Sequence, residues 1–360
     1  MTGQERTSDT VVRPGHRSSA KDVARLAGVS TATVSRVVNS PDQVDARTRS
    51  LVRDAMRKLR YVPHGAARTL RSHRSRMIGA VVPSFSYALY ARMTSAMQAV
   101  LDPAGYSLVV AEHHYDLANE LRMTEQLLSL SVDAFVFVGL HHDPALLALL
   151  DNHRRPYVLT WGVDPMRQHP SIGFDNRAAT FAMTRHLLSL GHRRFGFLSA
   201  VPDGNDRATE RGAGLRAALA QAGLELDETC AQYGPIDLDA ARRMMHRLLK
   251  LTPRPTAVMA TNDVFAVGGM MACREAGIAI PDEISITGVD NTDLGATQTP
   301  PLSSIGTPIV EIGRAAAEQV IARLEGKSYE AFQLLPFELV IRGSSAPPRK
   351  DAPLAPPATD

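Results

Sequence analysis

The chemistry in this sequence is concentrated where the chain can read another molecule, and little of it suits bond breaking. The richest stretch is Ser19 to Asn39, SAKDVARLAGVSTATVSRVVN. Ser19 can cap a first helix through its hydroxyl, and Val23, Ala24, Leu26 and Ala27 give that helix a small apolar face. Gly28 stands where a left-handed backbone ends a helix at least cost. Ser30 caps a second helix from Thr31 to about Val38, with Val34, Val37 and Val38 inward. Thr31, Ala32, Thr33, Ser35 and Arg36 are left outward or at the first turn, and Asn39 closes the stretch. Small hydrogen-bonding side chains followed by a guanidinium suit close approach to the base edges and phosphates of double-stranded DNA.

No catalytic constellation accompanies this reader. Gly212-Ala213-Gly214 and Gly268-Gly269 lack the Lys-Ser/Thr of a phosphate loop. His113-His114 and His141-His142 are adjacent pairs, and neighbours in a strand point to opposite faces, so no metal site is expected. No serine stands in a nucleophile-elbow pattern. Neither an enzymatic activity nor a cofactor is expected.

The 360 residues suffice for two or three domains. A hydrophobic content of 44% and a charged content of 21% fit a globular protein. Cys230 and Cys273 give no disulfide framework and no metal spacing, which fits the reducing cytoplasm. No apolar run reaches the roughly 18 residues that would span a membrane, and the N-terminus has no apolar secretory core, so no membrane partner is expected. Residues 1–76 carry 16 Lys+Arg against 6 Asp+Glu, and the remaining residues 24 against 31. A head of +10 on a body of −7 is the electrostatic footprint of a nucleic-acid reader joined to something else.

Along the chain, residues 1–17 are polar and aperiodic and read as a disordered tail. Ser40-Pro41-Asp42 breaks the chain. Asp45 then caps a third helix through Leu59, with Ala46, Leu51, Val52, Ala55, Met56 and Leu59 as its packing stripe. From Met77 strands and helices alternate in two series, the pattern of parallel, doubly wound α/β units. Strands are expected at Met77–Val82, Ser107–Ala111, Asp133–Val138, Pro156–Thr160 and Ser171–Phe174, then at Arg194–Ser199, Thr256–Ala260 and Ile284–Thr287.

The run Lys21-Asp22-Val23-Ala24, Ala27-Gly28-Val29-Ser30 and Thr33-Val34-Ser35-Arg36-Val37-Val38-Asn39 resembles the DNA-binding signature of the lactose-repressor (LacI/GalR) family of bacterial regulators. The resemblance runs from Ser19 to Arg342. It implies an N-terminal three-helix helix-turn-helix domain at 18–62 and a hinge at 63–76. A two-subdomain core like the periplasmic sugar-binding proteins follows, one subdomain from 77–174 with 304–328, the other from 175–303 with 329–343. Residues 344–360 are Pro-rich and expected to be disordered.

The same resemblance implies site residues. Leu70 matches the hinge leucine that wedges into the central base step, with Ala67 and Arg68 before it and Arg71 after it. His64-Gly65 replaces the family's common Asn-Ala start of that helix, which lowers its helix propensity. Tyr87-Ala88-Leu89-Tyr90 stands where relatives often read Asn-Pro-Phe-Phe; its aromatics are either cleft wall or core. Trp161 either stacks on a ligand ring or packs the hinge of the core. Arg211, three residues before Gly214, matches the family's effector-binding arginine; Asn262, before Asp263, matches a ligand amide, with Asp263 as helix cap; Asp290 matches a ligand carboxylate. The implied protein is a homodimeric regulator, usually a repressor, on a palindromic operator, controlled by a small-molecule effector such as a sugar or sugar acid. The alternative is a sugar-binding protein or sensor without operator-specific DNA binding.

Overall fold

A computed structural model of the protein describes residues 18–62 and 74–349, which fall into two compact units. In the first unit α1 (Ala20–Ala27), α2 (Thr31–Asn39) and α3 (Ala46–Lys58) form a three-helix head. Each helix begins where its cap predicts. Ser19 and Asp22 make a reciprocal capping box, Ser30 accepts from the Thr33 amide, and Asp45 from the Thr48 amide. Gly28 ends α1 with φ +67°, a conformation a side chain would strain. The core is Val23, Ala24, Val34, Val37, Val52 and Ala55. Leu26 and Leu51, expected within apolar faces, are instead about half exposed. Three short helices enclose too little volume to cover every periodic apolar residue.

The second unit holds two six-stranded sheets. The first contains β1 (Met77–Val82), β2 (Ser107–Glu112), β3 (Ala134–Val138), β4 (Tyr157–Thr160), β5 (Ser171–Gly173) and β11 (Phe332–Leu334), in the order β11-β5-β4-β3-β1-β2. The second contains β6 (Phe195–Ala200), β7 (Ala231–Gly234), β8 (Ala257–Ala260), β9 (Ser285–Val289), β10 (Ser303–Gly306) and β12 (Glu338–Val340), in the order β12-β10-β9-β8-β6-β7. Every pairing within these sheets is parallel except β10 with β12. The helices that cover the sheets are α4 (Ala88–Leu101), α5 (Leu117–Ser129), α6 (Pro144–Asn152), α7 (Asn176–Ser189), α8 (Asp206–Gln221), α9 (Leu238–Leu249), α10 (Asp263–Glu275), the short α11 (Asp293–Ala296) and α12 (Ile309–Glu325). Strands such as Ala134–Val138 are buried along their whole length, as parallel strands between helical layers must be.

Three boundaries differ from the sequence reading. β10 stays in the second sheet, where Ser303 to Ile305 pair with Thr287 to Val289, so the crossing to the first sheet comes with α12, packed on α4. β11 pairs with β5 and belongs to the first sheet, so the return to the second begins only after Leu334. Residues 344–349 were expected in a disordered tail. Ser344 is instead fully buried, donates to the Ile286 carbonyl at 2.6 Å and accepts from the Ser303 amide at 2.8 Å. Strand membership is decided by pairing partners distant in sequence, which local pattern does not carry. β7 was also missed, because four residues with a mixed burial pattern leave too short a signal.

Candidate ligand cleft and nucleic-acid interface

In the head, α2 presents Thr31, Ala32, Arg36 and Asn39 to solvent, with Thr33 and Ser35 half-buried. The Ser30 and Thr33 hydroxyls lie 2.9 Å apart at the N-terminus. Asn39 donates to the Ser35 carbonyl at 2.7 Å and lies 3.2 Å from its hydroxyl, which closes the other end. The exposed face therefore offers one methyl, one hydroxyl, one amide and one guanidinium along a capped helix, the side-chain kinds that read base edges. The hinge residues Ala67, Arg68, Leu70 and Arg71 lie outside the described residues.

In the core, the carboxyl ends of strands from both sheets face a common cleft, the place where open α/β sheets bind ligands. Tyr87 and Tyr90 come after β1, Tyr115 after β2, Trp161 after β4, Asn205 and Arg207 after β6, Ile236 after β7, Asn262 after β8 and Asp290 after β9. These residues, with Leu89, Thr261 and Arg211, line a cavity of about 20 Å³, room for about one water. Trp161, Tyr115 and Asp290 all have positive φ (+70°, +61° and +106°). Non-glycine residues in such backbone cost about 1–3 kcal/mol each and cluster where a site needs them.

The cleft is closed by polar contacts. The Tyr87 hydroxyl donates to Asp290 Oδ2. Arg211 Nη2 lies 3.8 Å from Asp290 Oδ1. The guanidinium is held by Asn176 Oδ1 at 2.8 Å and the Thr261 carbonyl at 2.6 Å, and its Cζ lies 5.9 Å from the centre of the Phe174 ring. Asn176 in turn donates to the Trp161 carbonyl at 2.7 Å. The Tyr90 ring packs 5.8 Å from Tyr87 and 5.3 Å from Trp161, so the aromatics are cleft wall and buried core at once. Burial pushes the Asp290 carboxyl up to about 7, with Asp263 adding to the shift and Arg211 and the Tyr87 hydroxyl opposing it. Tyr87 and Tyr90 are pushed up by burial, and then by Asp290 and Tyr115 respectively, so both stay neutral donors.

A second pair of residues crosses the cleft. Asp206 Oδ2 accepts from the Leu140 amide at 3.0 Å, while Arg207 donates to Asp206 Oδ1 at 2.7 Å and to the Val138 carbonyl at 3.3 Å. Burial works against the Arg207 charge, but Asp206 and the neighbouring tyrosines outweigh it and raise its pKa.

The structure brings Tyr87, Leu89, Tyr90, Trp161, Arg211, Asn262 and Asp290 to one cleft. One role is reversed. Asn262, not Asp263, caps α10, through the Phe265 amide at 2.9 Å. Asp263 instead accepts from the Thr292 amide (2.6 Å) and hydroxyl (2.8 Å) and from Ser304 (2.6 Å). The N-cap side chain must precede the first helical residue, and the helix starts at Asp263. Sequence reasoning missed Arg207, Tyr115, Asn176, Asn205 and Thr261. Arg207 carries a usable signal, since it precedes Arg211 by one helical turn on the same face. The others come together only through topology. Among the described residues no three His, Cys, Asp or Glu side chains group to hold a metal ion, and no helix is long and apolar enough to cross a membrane.

Two segments of the chain match known protein families. Residues 19–64 match the bacterial regulatory proteins of the lacI family, and residues 184–345 match a periplasmic binding protein-like domain. The HTH-type transcriptional regulator CelR of Thermobifida fusca is 33% identical over 337 residues, 91% of this chain and 98% of that protein. A solved transcriptional regulator CelR–cellobiose complex is similar with TM-score 0.68 and 30% identity, covering 91% of this chain and all of the other. The lac repressor dimer bound to operator and the anti-inducer ONPF is similar with TM-score 0.80 and 27% identity, covering 92% of this chain and all of the other.

Proposed function

The chain belongs to the lacI family of bacterial regulatory proteins, and we propose that it is a homodimeric repressor of a palindromic operator, controlled by a sugar or sugar acid in the Arg211–Asp290 cleft. What carries this is the pairing, in one chain, of an exposed reading helix with a closed cleft whose buried groups are hydrogen-bonding ones. Thr31, Ala32, Thr33, Ser35, Arg36 and Asn39 face the major groove, behind the Ser30 cap. Ala67, Arg68, Leu70 and Arg71 act at the centre of the site.

Arg211 and Asp290 offer a donor pair and an acceptor, the complement of vicinal hydroxyls or of a hydroxyl beside a carboxylate. Trp161 and Tyr90 give the flat apolar wall a sugar face needs. A cavity of about 20 Å³ does not hold a sugar. The effector therefore enters an opened cleft and takes over the contacts that Tyr87, Arg211 and Asp290 make with one another. It acts only through its difference in affinity for the two arrangements. The solved complexes of similar proteins, one with cellobiose and one with operator and anti-inducer, support both partners. A DNA partner puts the protein in the cytoplasm, and the cleft binds without chemistry.

Footprinting of genomic fragments retained by the purified protein tests this. A few palindromic sites protected across their centre, and released by one of a panel of sugars and sugar acids, are the expected result. Retention of no specific fragment at low salt, with the same panel tried as corepressors, would overturn it.

A further inference from the structure

Behind the cleft lies a buried group of titratable side chains that the effector contacts do not use. His142, after β3, has Nε2 3.0 Å from the Gly139 carbonyl and Nδ1 2.9 Å from Glu120 Oε2 on α5. Both partners are acceptors. A carbonyl only accepts, and so does an ionised carboxylate. A neutral imidazole carries one N–H, so one of these contacts would set two lone pairs against each other. Both can be hydrogen bonds only if the pair holds one proton more than neutral His142 beside ionised Glu120.

The other groups facing this pair do not take that proton. His113, beyond β2, has Nε2 3.7 Å from Glu120 Oε1, and both its ring nitrogens lack a hydrogen-bond partner. Burial lowers its affinity for a proton. From α8 come Arg207, cationic and ion-paired, and Asp206, already bonded to Arg207 and the Leu140 amide. Tyr115 packs 6.3 Å from His113, and Asp143 is spent on the Ala145 amide.

The same proton bears on the cleft. Gly139, whose carbonyl His142 binds, has φ +103°, and an added Cβ would overlap the Arg207 guanidinium. On either side of it, the Val138 carbonyl and Leu140 amide are the groups that grip Arg207 and Asp206 across the cleft. Arg211 stands one turn further along α8. We propose that His142 and Glu120 share one bound proton and act as positioning residues for the Val138–Leu140 loop, so that closure of the cleft onto Asp206 and Arg207 is proton-linked. This needs neither the operator nor the effector, so it stands or falls separately from the proposed function.

The test is hydrogen exchange of segment 138–142 in the full-length protein between pH 6 and 10, corrected for intrinsic exchange. In the wild type, protection should fall as the proton leaves, by at most about tenfold per pH unit for one proton. Glu120→Gln supplies a permanent N–H to neutral His142 and should hold the low-pH protection throughout. Parallel profiles, or a flat wild-type profile, overturn the proposal. If Glu120→Gln does not fold, ring-¹⁵N and carboxyl-¹³C spectra of the wild type at pH 7 decide. A doubly protonated His142 or a protonated Glu120 supports the proposal; a neutral ring beside an ionised carboxylate overturns it.

Discussion

Tyr87 and Asp290, 203 residues apart, meet in a buried hydrogen bond that ties the end of β1 in one sheet to the end of β9 in the other. On the proposed reading of the cleft, the phenol occupies the place of an effector hydroxyl at the carboxylate. Tyr87→Phe removes that donor and leaves Asp290 Oδ2 buried without it. The variant should lose about 1–3 kcal/mol of stability at pH 8 in urea unfolding. It should also bind effector more readily, because one internal competitor is gone. Weaker effector binding by Tyr87→Phe would show that the phenol is itself a ligand contact.

Asp290 gives a pH dependence of definite sign. Its folded pKa, about 7, lies above its ordinary 3.8, chiefly because of burial. The folded chain therefore keeps a proton that the unfolded chain releases. The stability this group contributes is fully present below about pH 4, falls as pH rises toward 7, and is level beyond. Asp290→Asn has no such proton. The variant's unfolding free energy minus that of the wild type should rise between pH 4 and 7 and then plateau. A difference independent of pH would mean that Asp290 is ionised throughout.

Arg211 is the nearest cation to Asp290, and its loss should depend on the same proton. Arg211→Ala strips Asn176 and the Thr261 carbonyl of a donor and removes the ion-pair partner of a buried carboxylate. Breaking a buried ion pair costs about 3–5 kcal/mol. Protonation of Asp290 removes part of that cost. The variant should thus be more destabilised at pH 8 than at pH 6, and blind to effector at both. Urea midpoints and titration calorimetry with the identified effector check the two halves.

Asn262 has a cap role and a proposed effector role, which substitution separates. Asn262→Ala should cost about 1 kcal/mol through loss of the α10 cap, whereas Asn262→Asp keeps an acceptor for the Phe265 amide and so preserves the cap itself. If the amide also donates to effector, both variants bind it more weakly. Unchanged effector affinity in Asn262→Asp would leave the residue a cap alone.

In the head, Arg36 is exposed on α2, on the side away from Val34 and Val37. Arg36→Ala should weaken operator binding by about 1–3 kcal/mol without altering the melting temperature of the head. Equal loss on specific and non-specific DNA, with a smaller salt slope, would make it a phosphate contact instead of a base reader.

The sequence by itself determined the head almost completely. Ser19, Gly28, Ser30 and Asp45 act on backbone groups within three or four residues, so cap, turn and helix start are local events that local spacing records. It determined the two α/β series as well, because buried parallel strands and amphipathic helices have distinct periods. Arg211, Asn262 and Asp290 could be singled out from the motifs around them. Tertiary structure alone decided what those residues touch. That Tyr87 answers Asp290, that Asn176 aims Arg211, that Asp263 turns to Thr292 and Ser304, and that β10 and β11 exchange the sheets expected of them all depend on chain crossings. The physical reason is the reach of the forces: a cap or a hydrophobic stripe is set within a few residues. The partner of a buried charge is set instead by which strand ends the two sheets bring to the same cleft.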